Sequence, residues 1–220
     1  AVKPVLEIAL KYHGGVAVRP MADVDLLVRR ASLPQAEEVL RQYGYRYLNP
    51  EENRATDVHA HQYISADYSS LDLHWYSLYE SPHAGIDDRI WQRAEVLDWD
   101  GLVVKVMSPE DLLLTSMVNG VRDYPIRPHW IHDVATIVES EPVISWNNVW
   151  EEAKKRRLRE QVFIALSLVR GISKETIPET VLENILENDV GFHRHLLKSA
   201  IDEGESDELV EAKLDEHLVK

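Results

Sequence analysis

The sequence contains no cysteine. Disulfides, thiolate zinc centres and cysteine nucleophiles are thereby excluded, and a reducing cytoplasm is the expected compartment. Long apolar runs are missing as well. The longest clean stretch, Val162 to Val169, is far shorter than the about 18 residues that a bilayer-crossing helix needs, so no membrane partner is expected. Positive charge is also scarce. Against 38 Asp and Glu stand 24 Lys and Arg, a formal net charge of −14, which argues against a protein that condenses onto extended nucleic acid. The partner that fits is small, or itself partly cationic.

What is present is enough chain for a real core: 220 residues make one generous domain or two small ones. The chain opens at Ala1, without methionine and already inside the apolar-periodic segment Val5 to Leu10, so a preceding portion is expected. Pro4 to Tyr12 reads as a short helix ended by Gly14-Gly15. Ser32 with Gln35 has capping-box spacing, and Leu33, Ala36, Val39 and Leu40 form the stripe of a helix that Gly44 stops. Alternation marks strands at Tyr45 to Leu48, His59 to Ser65 and Leu71 to Tyr76, the last two forming a hairpin. Ile86 to Ala94 is a short helix and Leu102 to Met107 a strand. Ser108-Pro109-Glu110-Asp111 then opens a run of helices: Leu112 to Val121, Trp130 to Glu139, one from Ser145 through Glu160 or beyond, Pro178 to Asn188, and Phe192 to Glu203. The change of composition places a boundary near Met107, with a mixed α/β portion over 1–107 and a helical one over 108–220.

The stretch with the most chemistry is Ala22 to Val28. Period-two alternation throws Val24, Leu26 and Val28 to one face and puts Asp23 and Asp25 together on the other. Two carboxylates on a half-buried strand repel and lose hydration, which a hard divalent cation relieves; the same spacing also occurs on exposed strand ends with no ion. Asp72, on the outer face of Leu71 to Tyr76, supplies a third strand-borne carboxylate able to sit beside the first two.

Taken together, Arg19-Pro20-x-x-Asp23-x-Asp25-Leu26-Leu27-Val28, Tyr43-Gly44-Tyr45, the His59/His61 strand, Leu71-Asp72-Leu73-His74-Trp75, Asp111-Leu112-Leu113-Leu114 and Trp130-x-x-Asp133 resemble the uncharacterised nucleotidyltransferase family of the DNA polymerase β-like superfamily. Order and spacing carry the resemblance from about Val2 to Ile172. It implies an α+β fold in which a small mixed sheet, flanked by helices, is followed by a C-terminal helical bundle. It further implies transfer of a nucleoside monophosphate from an NTP to an unidentified acceptor, with release of pyrophosphate. Asp23, Asp25 and Asp72 would hold Mg²⁺, with Mn²⁺ as the substitute, and Asp72 would also accept the acceptor's proton. Where the family presents Leu-Lys-Gly before the Asp strand, this chain reads Val2-Lys3-Pro4, one backbone donor fewer.

Candidate nucleotide contacts are Lys3, Arg19, His74, Arg122 and Arg127. His74 is equally well placed to orient Asp72 or to be a buried hydrogen-bonded histidine. His59 and His61 read as structural, Asp133 as an anchor for one of the arginines, and the Lys154 to Arg159 run as a solvated helix face. Three readings stay open on these residues: an active enzyme, a catalytically weak binding module such as one half of a toxin-antitoxin pair, and a structural domain with a coincidental acidic cluster.

Overall fold

Apolar spacing and capping residues decide most of the elements. A computed structural model describes residues 4–12, 23–48, 59–122, 129–173, 176–189 and 191–192. Helix α1 (Pro4–Lys11) precedes strand β1 (Val24–Leu27), α2 (Leu33–Gln42) and the two-residue β2 (Arg46–Tyr47). Gly44, at φ +82°, supplies the left-handed residue that ends α2. The start of α2 differs from the expected capping box: Ser32 makes no side-chain cap and closes a 3₁₀ turn over Arg30–Ser32 instead, and Val39 is half exposed while Leu33, Ala36 and Leu40 pack. Gly14, Gly15, the 50–57 loop, Pro125, Pro128, the helix expected beyond Phe192 and the acidic stretch 202–216 lie outside the described residues.

Strands β3 (Ala60–Ile64) and β4 (Ser70–His74) form the expected hairpin, and the sheet runs in the order β1-β4-β3-β2. β1 lies parallel to β4, with Val24 opposite Leu71, Asp25 opposite Asp72 and Leu27 opposite His74; β3 is antiparallel to both β4 and β2. Alternation then sorts the side chains. Leu71, Leu73 and Tyr63, with Leu26 and Val28, pack beneath Leu33, Ala36 and Leu40 of α2. The opposite face carries Leu27 into the largest core, together with Ile8, Leu78, Ile90 and Met107.

Past α3 (Asp88–Arg93) comes a second, two-stranded sheet that the sequence reading half misses: β5 (Glu95–Trp99) pairs with β6 (Leu102–Val106). The turn is Asp100-Gly101, at φ +53° and +81°, both left-handed as a two-residue hairpin turn of type I′ demands. Helices α4 (Pro109–Arg122), α5 (His129–Ser140), α6 (Trp146–Arg156), α7 (Arg159–Ile172) and α8 (Glu179–Asn188) follow. At the head of α4, the Ser108 hydroxyl accepts from the Asp111 amide at 3.3 Å and donates to its carboxylate at 2.9 Å, leaving Pro109 at the first helical position. Gly120 is what lets α5 approach: a Cβ there would sit 2.2 Å from the Trp130 ring.

The single helix expected from Ser145 through Glu160 is two. Ser145 does cap α6, accepting from the Asn148 amide at 3.4 Å, but the chain turns at Arg157, φ +62°, and Leu158 folds its amide back to Ala153 O at 2.8 Å. Burial of Leu158 in the core drives the break, since a continuous helix would carry that apolar side chain elsewhere. The basic run is likewise not one solvated face. Arg156 is fully buried and reaches Glu152 Oε1 (3.1 Å), Asp87 Oδ1 (3.0 Å), Ile86 O (3.1 Å) and the hydroxyls of Ser77 (3.2 Å) and Ser81 (3.3 Å). Asp87 in turn accepts from the Ser77 amide at 2.8 Å and hydroxyl at 2.6 Å. The guanidinium of α6 thus ties down the irregular segment that leaves the end of β4.

Candidate metal centre

Parallel pairing in matched register does the assembling. With Asp25 directly opposite Asp72, both carboxylates leave the sheet on the face that α2 does not cover, and His74, two residues on, leaves on that face too. Among the described residues, Asp25, Asp72 and His74 form a group in which each offers one ligand atom and all three atoms lie within 4.8 Å of one another. His74 is buried, and its Nε2 donates to Asp25 Oδ1 at 2.7 Å. A short charge-assisted bond of that kind fixes both side chains at once. The His59 ring meets the His74 ring edge-on at 5.3 Å and touches Tyr79 at 5.2 Å, so the imidazole is held from behind as well.

Asp23 stands just before β1, half-buried. Its carboxyl is pushed above the usual range, first by burial and then by the neighbouring charge of Asp25. It shares the crowded face but is not one of the three groups whose ligand atoms converge within 4.8 Å. Of the nucleotide contacts named from the sequence, His74 joins the carboxylates directly. Arg122 ion-pairs with Glu80 at 3.1 Å, linking the end of α4 to the segment after β4. Lys3, with the Val2-Lys3-Pro4 turn, Arg19 and Arg127 lie outside the described residues. Asp133 is buried on α5.

The two strand histidines part company. His61 points to the α2 side, where its Nδ1 meets Glu37 Oε1 at 3.2 Å beside the Tyr63 hydroxyl, which donates to the same oxygen at 2.7 Å. His59 lies one residue before β3, where the alternation has not yet begun, and so turns to His74 instead. Counting by twos from His61 puts both on one face; only the strand's actual start separates them.

A divalent cation fits this donor set. Two carboxylates and an imidazole converge, and burial together with the charge of Asp25 pushes a third carboxyl nearby, that of Asp23, above its usual range. An all-oxygen pair suits Mg²⁺, whereas a nitrogen in the shell favours Mn²⁺ or another borderline ion.

The profile of the uncharacterised nucleotidyltransferase family matches residues 7–172, well over half of the chain. The protein belongs to that family. Strand β1, strand β4 and the helices from α2 through α7 all fall within the match. A solved structure, an antigenic nucleotidyltransferase-like protein from Paracoccidioides brasiliensis, is similar over 83% of this chain and 83% of its own, at 15% identity and a TM-score of 0.48. No curated protein matches the chain. Family membership makes nucleotidyl transfer the general activity against which the site of this nucleotidyltransferase-family protein is to be read.

Proposed function

We propose that the protein is a divalent-metal-dependent nucleotidyltransferase that moves a nucleoside monophosphate from an NTP to an acceptor hydroxyl. The observation that carries the reading is the convergence of Asp25, Asp72 and His74 within 4.8 Å on two adjacent parallel strands. Asp25 and Asp72 would hold the metal, with Asp23 at the edge of the shell. The bound ion supplies neutralisation of the charge that spreads over the phosphate oxygens during in-line displacement.

The remaining work belongs to the chain. His74 keeps its Nε2 proton on Asp25, which holds that carboxylate in one rotamer beside Asp72. Asp72 is the candidate base: it takes the proton of the acceptor hydroxyl as the new oxygen–phosphorus bond forms and the bond to pyrophosphate breaks. Burial of His74 and half-burial of both aspartates keep the reacting groups from full hydration, which strengthens each of these electrostatic contacts.

Titration calorimetry with Mn²⁺ or Mg²⁺ and each of ATP, GTP, CTP and UTP tests binding, and α-phosphate-labelled NTP with cell extract tests transfer. Metal-dependent binding of at least one NTP is expected. Failure of every nucleotide to bind in the presence of either metal would sink the reading.

A further inference from the structure

Apart from the metal centre, a cavity lies at the carboxyl ends of the same two strands. β1 runs on into Arg29 and Arg30, and β4 into Trp75 and Tyr76; α3 closes the space with Trp91, giving a cavity of about 190 Å³. The carboxyl ends of parallel strands are where chains diverge and leave room for ligands. Nothing in the carboxylate–histidine group uses these residues.

The arginines are the unusual feature. In a chain of net charge −14, guanidinium groups have carboxylates to spare, and most take them. Arg93 grips Asp111 through two nitrogens, Arg156 bridges Asp87 and Glu152, and Arg159 holds both oxygens of Asp189. Arg29 and Arg30 do not follow. Arg30 gives one hydrogen bond to a neutral group, the Tyr76 hydroxyl, at 3.0 Å, and has no carboxylate among the described residues. Arg29 lies over the Trp91 ring at 4.9 Å from its centroid, and its one acid among the described residues, Asp88, stands 3.9 Å off with both side chains exposed. An exposed pair at that distance contributes little. Asp87, the other acid on the wall, is already committed to Arg156 and Ser77.

Two guanidinium planes are therefore held in place by an aromatic ring and a phenol, with most of their forked donors turned to no anion among the described residues. Such forks match a carboxylate or phosphate bidentately, and being already oriented they lose little freedom on binding. Besides Asp87 and Asp88, the wall offers flat apolar surface: Trp75 is buried and Trp91 half-buried. The volume decides the size. It is below the roughly 300–1,000 Å³ of sites for drug-sized ligands, too small for a nucleoside triphosphate and suited to one ring with its acid.

We propose that this cavity is a binding site for a small aromatic oxyanion, a single planar ring bearing a carboxylate or a phosphate monoester, gripped by Arg29 and Arg30 and walled by Trp75 and Trp91. The site stands on its own geometry and does not depend on nucleotidyl transfer.

The test uses full-length protein without metal or nucleotide, with benzoate and phenyl phosphate as probes and neutral benzamide as the control. Tryptophan fluorescence and the indole N–H resonances report on Trp75 and Trp91. At least one of the two anions is expected to titrate to saturation, with benzamide at least about tenfold weaker, in line with a charge-assisted contact. Which anion binds more tightly identifies the acid. Arg30→Gln and Arg29→Gln should each weaken the anion about tenfold or more, Trp91→Phe should remove one shifted indole signal, and Asp25→Asn should leave the titration unchanged. Both arginines are surface-facing, so folding is checked by an unaltered melting temperature. The proposal is overturned if neither anion saturates, if benzamide binds as well, or if the folded Arg29→Gln/Arg30→Gln double variant binds like the parent.

Discussion

Replacing Arg156 by methionine should remove several kilocalories of stability. The side chain is fully buried, and its five polar contacts are the ones that neutralise Asp87 and Glu152 and hold the Ile86 carbonyl and two serine hydroxyls. Methionine keeps much of the apolar stem, so the change reports on the guanidinium head. What is left behind is the costly part: Asp87 and Glu152 remain buried, with Ser77 the remaining partner of the Asp87 carboxylate among the described residues and Glu152 beside the partly exposed Arg89, Arg93 and Lys155 at 3.5 to 3.7 Å. Removing one partner of a buried pair costs about 3–5 kcal/mol. For a chain of this size each kilocalorie moves the melting temperature by about 2–4 °C, so a drop of about 6–20 °C is expected. Thermal and denaturant unfolding monitored by circular dichroism measure it. If the cause is uncompensated charge, adding Asp87→Asn and Glu152→Gln to Arg156→Met should recover part of the loss. A single variant within about 1 kcal/mol of the parent, or a triple variant worse than the single one, would refute the reasoning.

Gly120→Ala should lower stability by about 1–3 kcal/mol, because the new methyl group collides with the Trp130 ring and α5 has to move; denaturant midpoints measure it, and an unchanged midpoint would mean that the helices part freely. Asp23→Asn should stabilise the metal-free protein at neutral pH. The folded-state pKa of Asp23 lies above 3.8, first through burial and then through Asp25, so the folded state takes up that proton before the unfolded one does; stability falls as pH rises from 3.8 through the raised value and stays lower above it. Unfolding curves at low and neutral pH should show the variant gaining on the parent only at the higher pH, and a gap that is constant with pH would count against this. Saturating Mn²⁺ should raise the melting temperature of the parent, by about 2.7 kcal/mol of added stability at a hundred times the dissociation constant, and Asp25→Asn or Asp72→Asn should abolish that rise. An equal rise in these variants would place the ion elsewhere.

Alternation and end signals made much of this fold readable. Asp23-x-Asp25 and Leu71-Asp72-Leu73-His74 declare which side chains share a face, and Ser108-Pro109 declares a helix start. Two misreadings have a local cause. The strand that partners Leu102 to Met107 is absent from the sequence-based expectation, although Asp100-Gly101 is a strong short-range hairpin signal between two strand-forming runs. The break at Arg157 has no such signal, because a non-glycine residue in the left-handed region is chosen by the burial of Leu158 and not by its own preference. Arg156 and the Arg29–Arg30 pair were harder still. Glu152 apart, their hydrogen-bond partners stand 46 to 79 residues away in sequence, and charge spacing along one helix says nothing of what a neighbouring loop presents.

What the sequence leaves unfixed at the metal centre is the register, and the centre depends on it. Period two puts Asp23 and Asp25 on one strand face and Asp72 and His74 on another, but does not say which pairs face each other. The observed register sets Asp25 against Asp72 and Leu27 against His74, so the imidazole lies one step beyond the carboxylate pair and reaches back to Asp25 at 2.7 Å. A slip of two residues would keep every apolar side chain on its proper face while setting Asp23 against Asp72 and His74 against Asp25. Burial alone hardly distinguishes the two arrangements. The Val28 amide bonded to His74 O at 2.8 Å, the His59 ring against His74 and the Arg156-held segment just after β4 all favour the register that brings Asp25, Asp72 and His74 together. The contacts that bear on the register are thus at the strand ends, and Arg156 supports the metal centre through the segment that follows β4.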